Sequence, residues 1–215
     1  MLQKLYNQNK WIVFSGVFLI TLYFTWLMNA ALPFERMMYN SMSEQISANR
    51  IQALIENQQK WDWVGYLLLP LLLTIKWFLV AVALDIGALL FEVELKFKKS
   101  FHIAMASEFV FLFLVAIKFG WFFYNRETLT LEYVQLFMPL SLSSLVDLKG
   151  VDKWFVYPLQ VANLFEIAYW FVLAYFLSIE LKRPYGKAVQ FVMATYGVGL
   201  LVWIIFMAFL ILNFS

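Results

Sequence analysis

Five long apolar runs separated by polar stretches organise the chain: Trp11–Met28, Trp63–Phe91, Phe101–Tyr124, Phe155–Ile179 and Ala188–Phe214. Each reaches the range of about 17 to 25 residues with which an α-helix crosses about 30 Å of hydrocarbon. A backbone in lipid must satisfy its own hydrogen bonds. Separate runs this long do so as helices, not as the short alternating strands of a barrel. The pattern predicts an all-α, polytopic membrane protein with five transmembrane helices. The first run follows Lys4 and Lys10 and exceeds a normal signal core, so it reads as an uncleaved first helix.

Basic residues set the orientation. Lys4 and Lys10 precede the first run, Lys96, Lys98 and Lys99 fill the second connection, and Lys182, Arg183 and Lys187 the fourth. The first and third connections are longer and mix bases with as many acids. The N-terminus is therefore expected in the cytoplasm and the C-terminus outside. This divides the chain into residues 1–28 (N-terminus and first helix), 29–62 (an outer loop) and 63–215 (a four-helix core of hairpins 63–124 and 155–214). In the first outer loop, Phe34, Met38, Met42, Ile46, Ile51, Leu54 and Ile55 recur at near-helical spacing, which predicts an interfacial amphipathic helix that covers the bundle or receives a partner. In the second, Pro139 breaks an apolar stretch, as a short helix and a turn at the membrane surface would.

Composition narrows the picture. The chain of 215 residues is 63% hydrophobic and 14% charged, where a soluble domain is about half apolar and about a quarter charged. With no cysteine, disulfides, thiol catalysis and cysteine-ligated metals are excluded. A net charge of +2 and the lack of a basic arm speak against nucleic acid. The expected partners are the lipid bilayer and other membrane proteins or a second copy of the chain.

Shifted on itself by 88 residues, the sequence sets "KSFHIAMASEFVFLFL" over "KAVQFVMATYGVGLLV", and Glu92 over Glu180. The second and third helices thus resemble the fourth and fifth, as in a parallel repeat about an axis along the membrane normal.

Charges inside the apolar runs are the candidate chemistry: Lys76, Asp85, Glu108, Lys118 and Glu166. Each costs on the order of 2.5 to 3.5 kcal/mol at the bilayer centre, so each should face protein or water. Depths counted at about 1.5 Å per residue put Asp85 level with Glu108 near the cytoplasm. Lys76, Lys118 and Glu166 fall together nearer the middle. The expected contacts are Lys76 with Glu166, and Asp85 with Glu108 or the interface. A structural reading makes these contacts fix helix register; a functional one has Asp85 and Glu108 share a proton or cation.

His102 and Glu108 are six residues apart, about 120° around a helix, which is poor for joint metal ligation, and His102 reads as a helix-end surface residue. No catalytic set, metal cluster or cofactor motif emerges. "YGVG" at 196–199 suits close helix packing, and Pro70 and Pro158 are possible kinks.

"FKKSFHIAMASEFVFLFLV", "PLSLSSLVDL" and "NLFEIAYWFVLAYFLSIEL" resemble bacterial members of the Yip family, five-pass membrane proteins named for interaction with Ypt and Rab GTPases; the similarity covers roughly residues 63–213. The resemblance implies a role in membrane organisation or trafficking. About ten residues precede the first helix, where eukaryotic members carry a substantial cytosolic region that touches GTPases. The expected function is a non-enzymatic membrane-organising or scaffold subunit for other membrane or secretion proteins, in the inner membrane if the source is bacterial. The alternative is a small transporter or permease subunit using Asp85/Glu108 and Lys76/Glu166.

Overall fold

The computed structural model describes Tyr6 and residues 8–214. It is all-helical. Helix α1 spans Lys10–Ala31, begun by Asn9, whose side chain accepts from the Trp11 N–H. A short α2, Phe34–Met42, leads to α3, Ala48–Leu90. Helices α4, Phe97–Ser107, and α5, Phe109–Tyr124, run on as one membrane-length segment. The connection after α5 then holds α6, Leu131–Leu136, two short 3-10 turns and α7, Lys153–Val161. Helix α8, Leu164–Glu180, turns into α9, Tyr185–Val192, which passes through a π-helical turn, Met193–Gly197, into α10, Val198–Phe214.

Four segments are long and apolar enough to cross a membrane: Lys10–Ala31, Ala48–Leu90, Phe97–Tyr124 and Tyr185–Phe214. The fourth apolar run departs from expectation, because it is two helices, α7 and α8, and not one over Phe155–Ile179. Asn163 makes the break. Its Oδ1 caps α8 by accepting from the Glu166 N–H at 2.8 Å, and its Nδ2 donates to the carbonyls of Gln160 and Val161. A short polar side chain that bonds the backbone in this way competes with continued helix. The opened backbone is satisfied by the loop at Leu140–Leu142, through Leu164 N–H to Leu140 O and Leu142 N–H to Ala162 O.

Helix α3 is also longer than the apolar run implied. It starts at Ala48 and continues through Pro70 for 43 residues, about 64 Å and twice the hydrocarbon thickness. The first connection is therefore a helical hairpin of α2 and the first turns of α3, in which Met37, Ile51 and Ile55 are buried. Leu32, Met37, Phe122 and Leu129 form a small outer core. Above it Arg36 bonds Glu127 and the carbonyls of Arg126 and Glu127, tying the two outer connections together.

The main core joins α1, α3, α4, α5, α8 and α9. Half of the most apolar window of α4–α5 is buried, against 6% for α9–α10, so α4–α5 is the central segment and α9–α10 turns large apolar side chains toward lipid. Besides their own hairpin partners, α3 packs on the π-helical turn and α8 on α4. Each hairpin thus lays its first helix on the other's second.

The two hairpins repeat each other in detail. Both first helices end in a Schellman motif: Val93 N–H bonds Ala88 O and Glu92 N–H bonds Leu89 O, while Arg183 N–H bonds Ser178 O and Lys182 N–H bonds Ile179 O. The residue after the cap is left-handed in both, Glu92 and Lys182 at φ 51°. Both second helices begin alike, Lys99 on Lys96 and Lys187 on Pro184. Both then distort where Ser107 and Thr195 bond back to the fourth preceding carbonyl. Corresponding residues are 88 apart after the turn but 90 apart before it, because the first turn (91–96) is two residues longer than the second (181–184).

Candidate functional site

Helix α4 begins at Phe97, not Phe101, so every residue of the third run stands one turn farther from the hairpin turn at 91–96 than the apolar pattern implied. Glu108, eleven residues into the segment, lies about 16 Å deep; Lys76, fourteen residues back from Leu90, about 21 Å. With side-chain reach these levels meet. Lys76 Nζ donates to Glu108 Oε1 at 2.8 Å, and Trp77 Nε1 donates to Glu108 Oε2 at 3.0 Å. The Glu108 side chain is 5% exposed and that of Lys76 37%. Lys76 Nζ also sits 3.6 Å from the Phe111 ring centroid, a cation–π contact that holds the ammonium away from lipid.

Lys76 therefore pairs with Glu108, not with Glu166 as its depth suggested. Glu166, in the first turn of α8, has its own donors: Oε1 accepts from Tyr196 Oη at 2.7 Å and from Trp170 Nε1 at 3.0 Å. Tyr169, fully buried, lies between the two sets. Its ring is 5.1 Å from Phe111 and 5.5 Å from Tyr196, and its hydroxyl donates to Ala104 O. The sequence Glu108–Lys76–Tyr169–Tyr196–Glu166 is one continuous polar and aromatic cluster between the hairpins.

The repeat explains the arrangement. Lys76 and Glu166 are 90 residues apart, Glu108 and Tyr196 are 88 apart, and these are the offsets of the two halves. Lys76–Glu108 in the first hairpin corresponds to Glu166–Tyr196 in the second. Each pair spans its hairpin at the distortion of the second helix, and each is completed by an indole N–H. The same framework thus carries an ion pair on one side and a carboxylate–phenol bond on the other.

The remaining candidates lie elsewhere. Asp85 does not meet Glu108; it takes the Ser100 hydroxyl, because Ser100, and not Glu108, is the residue of α4 at its level. Lys118 is not level with Lys76. The same one-turn displacement carries it toward the C-terminal end of α5, where its ammonium is 5.7 Å from the Phe122 ring and makes no ion pair with the described residues. His102 is half-buried and not a surface residue: Nε2 is 2.8 Å from Tyr6 O, and Nδ1 is buried without a partner among the described residues.

Beside it, Glu180 accepts from Tyr6 Oη and from Lys99 Nζ at 3.1 Å. Burial, then the bond to Glu180 and its charge, push the Tyr6 phenol well above its usual range. For Glu180, just past the fourth apolar run, burial acts upward, but the bonds from Tyr6 and Lys99 and the charges of Lys99 and His102 outweigh it and hold the carboxyl below its usual range.

Trp77, Trp170, Tyr169, Tyr196 and Ser100 were not legible as site residues. For Tyr196 a signal exists in the repeat, which sets it opposite Glu108. "YGVG" behaves as its composition implied: a Cβ on Gly197 would lie 2.9 Å from Trp170 Cη2, and one on Gly199 3.3 Å from Ala83 Cβ.

No protein-family model, curated protein or solved structure matches the chain. Its class follows from its own geometry. It is an all-α integral membrane protein with four helices long and apolar enough to span, built around a repeated hairpin with a charged cluster at its centre.

Proposed function

We propose that the chain is a five-pass membrane protein of the bacterial Yip type, with α7–α8 as a broken fourth span and a cytoplasmic N-terminus, that acts as a non-enzymatic membrane-organising or scaffold subunit. The observation that carries this reading is the outer platform. Arg36 joins α2 to the loop after α5, and α3 runs from that platform to the cytoplasmic turn as one 43-residue helix. A stiff strut with a tied outer end suits the presentation of a surface to a partner. The paired charges in the core favour fixed hairpin register.

The absence of cysteine makes the chain a ready background for single-cysteine work. Labels at Ser43 and Ser144 should react from outside and labels at Lys98 and Lys187 from the cytoplasm; the reverse pattern sinks the topology. A photo-crosslinker on Gln52→Cys or Glu56→Cys in native membranes should capture one stoichiometric protein partner. Capture of lipid alone at both positions, together with unchanged cell behaviour after deletion of residues 34–60, would refute the scaffold role.

The transporter reading draws on one specific feature, the helix break at Ala162–Asn163 beside buried charge, since non-helical backbone at membrane depth is characteristic of places that line a cavity. Solute flux in vesicles that Lys76→Met and Glu166→Gln abolish would favour it.

A further inference from the structure

The break between α7 and α8 opens a cavity of about 840 Å³, within the size range of small-molecule sites. Its walls are apolar and continuous with the lipid-facing surface; Leu164, Ile167, Val198 and Leu201 line it and are each more than half exposed. Glu166 lines it too. Oε1 of Glu166 is occupied by Tyr196 and Trp170, whereas Oε2 takes no hydrogen bond. Among the described residues the enclosed side-chain atom without a partner is His102 Nδ1. Glu166 thus lines the cavity with one carboxylate oxygen, Oε2, left without a partner among the described residues.

The other polar side chains of the wall are engaged: Asn163 in capping, Ser141 on Met138 O, Ser144 on Ser141 O. Lys76 spends its short contact on Glu108, and Glu166 makes no ion pair among the described residues.

We infer that this cavity binds a membrane-dissolved cationic amphiphile, a single apolar chain ending in a primary ammonium, with the ammonium on Glu166 Oε2 and the chain along α8 and α10 toward lipid. Lipid tails are as apolar as the cavity wall, so moving the chain between them contributes little. Selectivity must come from the head group. A charge-assisted bond in a medium of low dielectric supplies it. This inference does not depend on the scaffold reading, since neither platform crosslink position, Gln52 or Glu56, lines the cavity.

The test uses the full chain in nanodiscs of phosphatidylcholine, titrated with dodecylamine, dodecanol, dodecanoate and ammonium chloride, with bound ligand counted by native mass spectrometry and thermal stabilisation as a second readout. One dodecylamine per chain should bind saturably, at least about tenfold more tightly than dodecanol, with dodecanoate and ammonium chloride weaker still. Glu166→Gln keeps the acceptor for Tyr196 and Trp170, so it should fold and reduce the amine-over-alcohol preference to less than about twofold. Ile167→Trp, which fills the cavity from an exposed wall position, should remove binding of both while leaving Glu166 intact. Equal binding of amine and alcohol to the wild-type chain would mean that Glu166 carries a proton in place of a cation, and would overturn the proposal. So would amine binding unchanged in Glu166→Gln or in Ile167→Trp, or ammonium chloride matching dodecylamine.

Discussion

The Lys76–Glu108 contact offers a quantitative check on the claim that charge fixes the first hairpin. At 2.8 Å and an effective dielectric of about 20, the gross attraction is about 6 kcal/mol, and removing both groups from water cancels much of it. The two single variants should differ. Lys76→Met leaves Glu108, 5% exposed, with only the Trp77 indole as donor, so the loss should lie near the upper end of the range of about 3 to 5 kcal/mol for breaking a buried pair. Glu108→Gln leaves an ammonium that is 37% exposed and still rests on Phe111 at 3.6 Å, so its loss should fall to about 2 to 3 kcal/mol. The double variant Lys76→Met, Glu108→Gln should be less destabilised than the sum by about 2 kcal/mol or more, the coupling that defines a contact. Reversible unfolding in mixed micelles, or steric trapping, measures all four corners of the cycle. A coupling below about 0.5 kcal/mol, the level of exposed ion pairs, would refute the view that this bond holds the hairpin.

Four further outcomes are expected. A Cβ at Gly87 would lie 1.9 Å from Thr195 Cγ2, so Gly87→Val should destabilise by about 2 kcal/mol or more through overpacking, and Thr195→Gly should restore part of the loss in the same unfolding assay. Tyr196→Phe removes one donor from Glu166 and should cost about 1 to 2 kcal/mol, whereas the same change at the exposed Tyr124 should register nothing. Glu92 and Lys182 occupy left-handed backbone at φ 51°, so Glu92→Gly or Lys182→Gly should raise the thermal midpoint, by about 1 kcal/mol of stability each; a fall in either would contradict the Schellman assignment. The carboxyl of Glu180 is depressed by its partners, so its contribution is complete above its unfolded value, about pH 4.3, and is lost as pH falls through the lower folded value. Thermal scans should therefore show an acid-side decline that Glu180→Gln flattens.

Depth errors illustrate what a linear reading misses. Hydrophobic runs locate helices by where polarity begins, yet α4 starts among Phe97, Lys98 and Lys99. That one turn moved Glu108 up to Lys76 and Lys118 to the far end of α5. Asn163 was legible as part of "NLF", but its power to split a span required the Leu140–Leu142 loop to accept the broken backbone. Long-range pairing of that kind leaves no local pattern.

By itself the sequence determined the bilayer as solvent, the helical class, four of the five long apolar segments and the likeness of the two hairpins. These follow from local quantities: apolar length, backbone self-satisfaction and the order of residues along one chain. The tertiary structure alone decided which charges meet, that Lys76–Glu108 and Glu166–Tyr196 are counterparts, and that Glu166 lines a cavity at the helix break. Those outcomes depend on helix rotation and relative height, which an apolar surface uniform around the helix does not encode and which packing of Trp77, Tyr169 and Gly87 fixes.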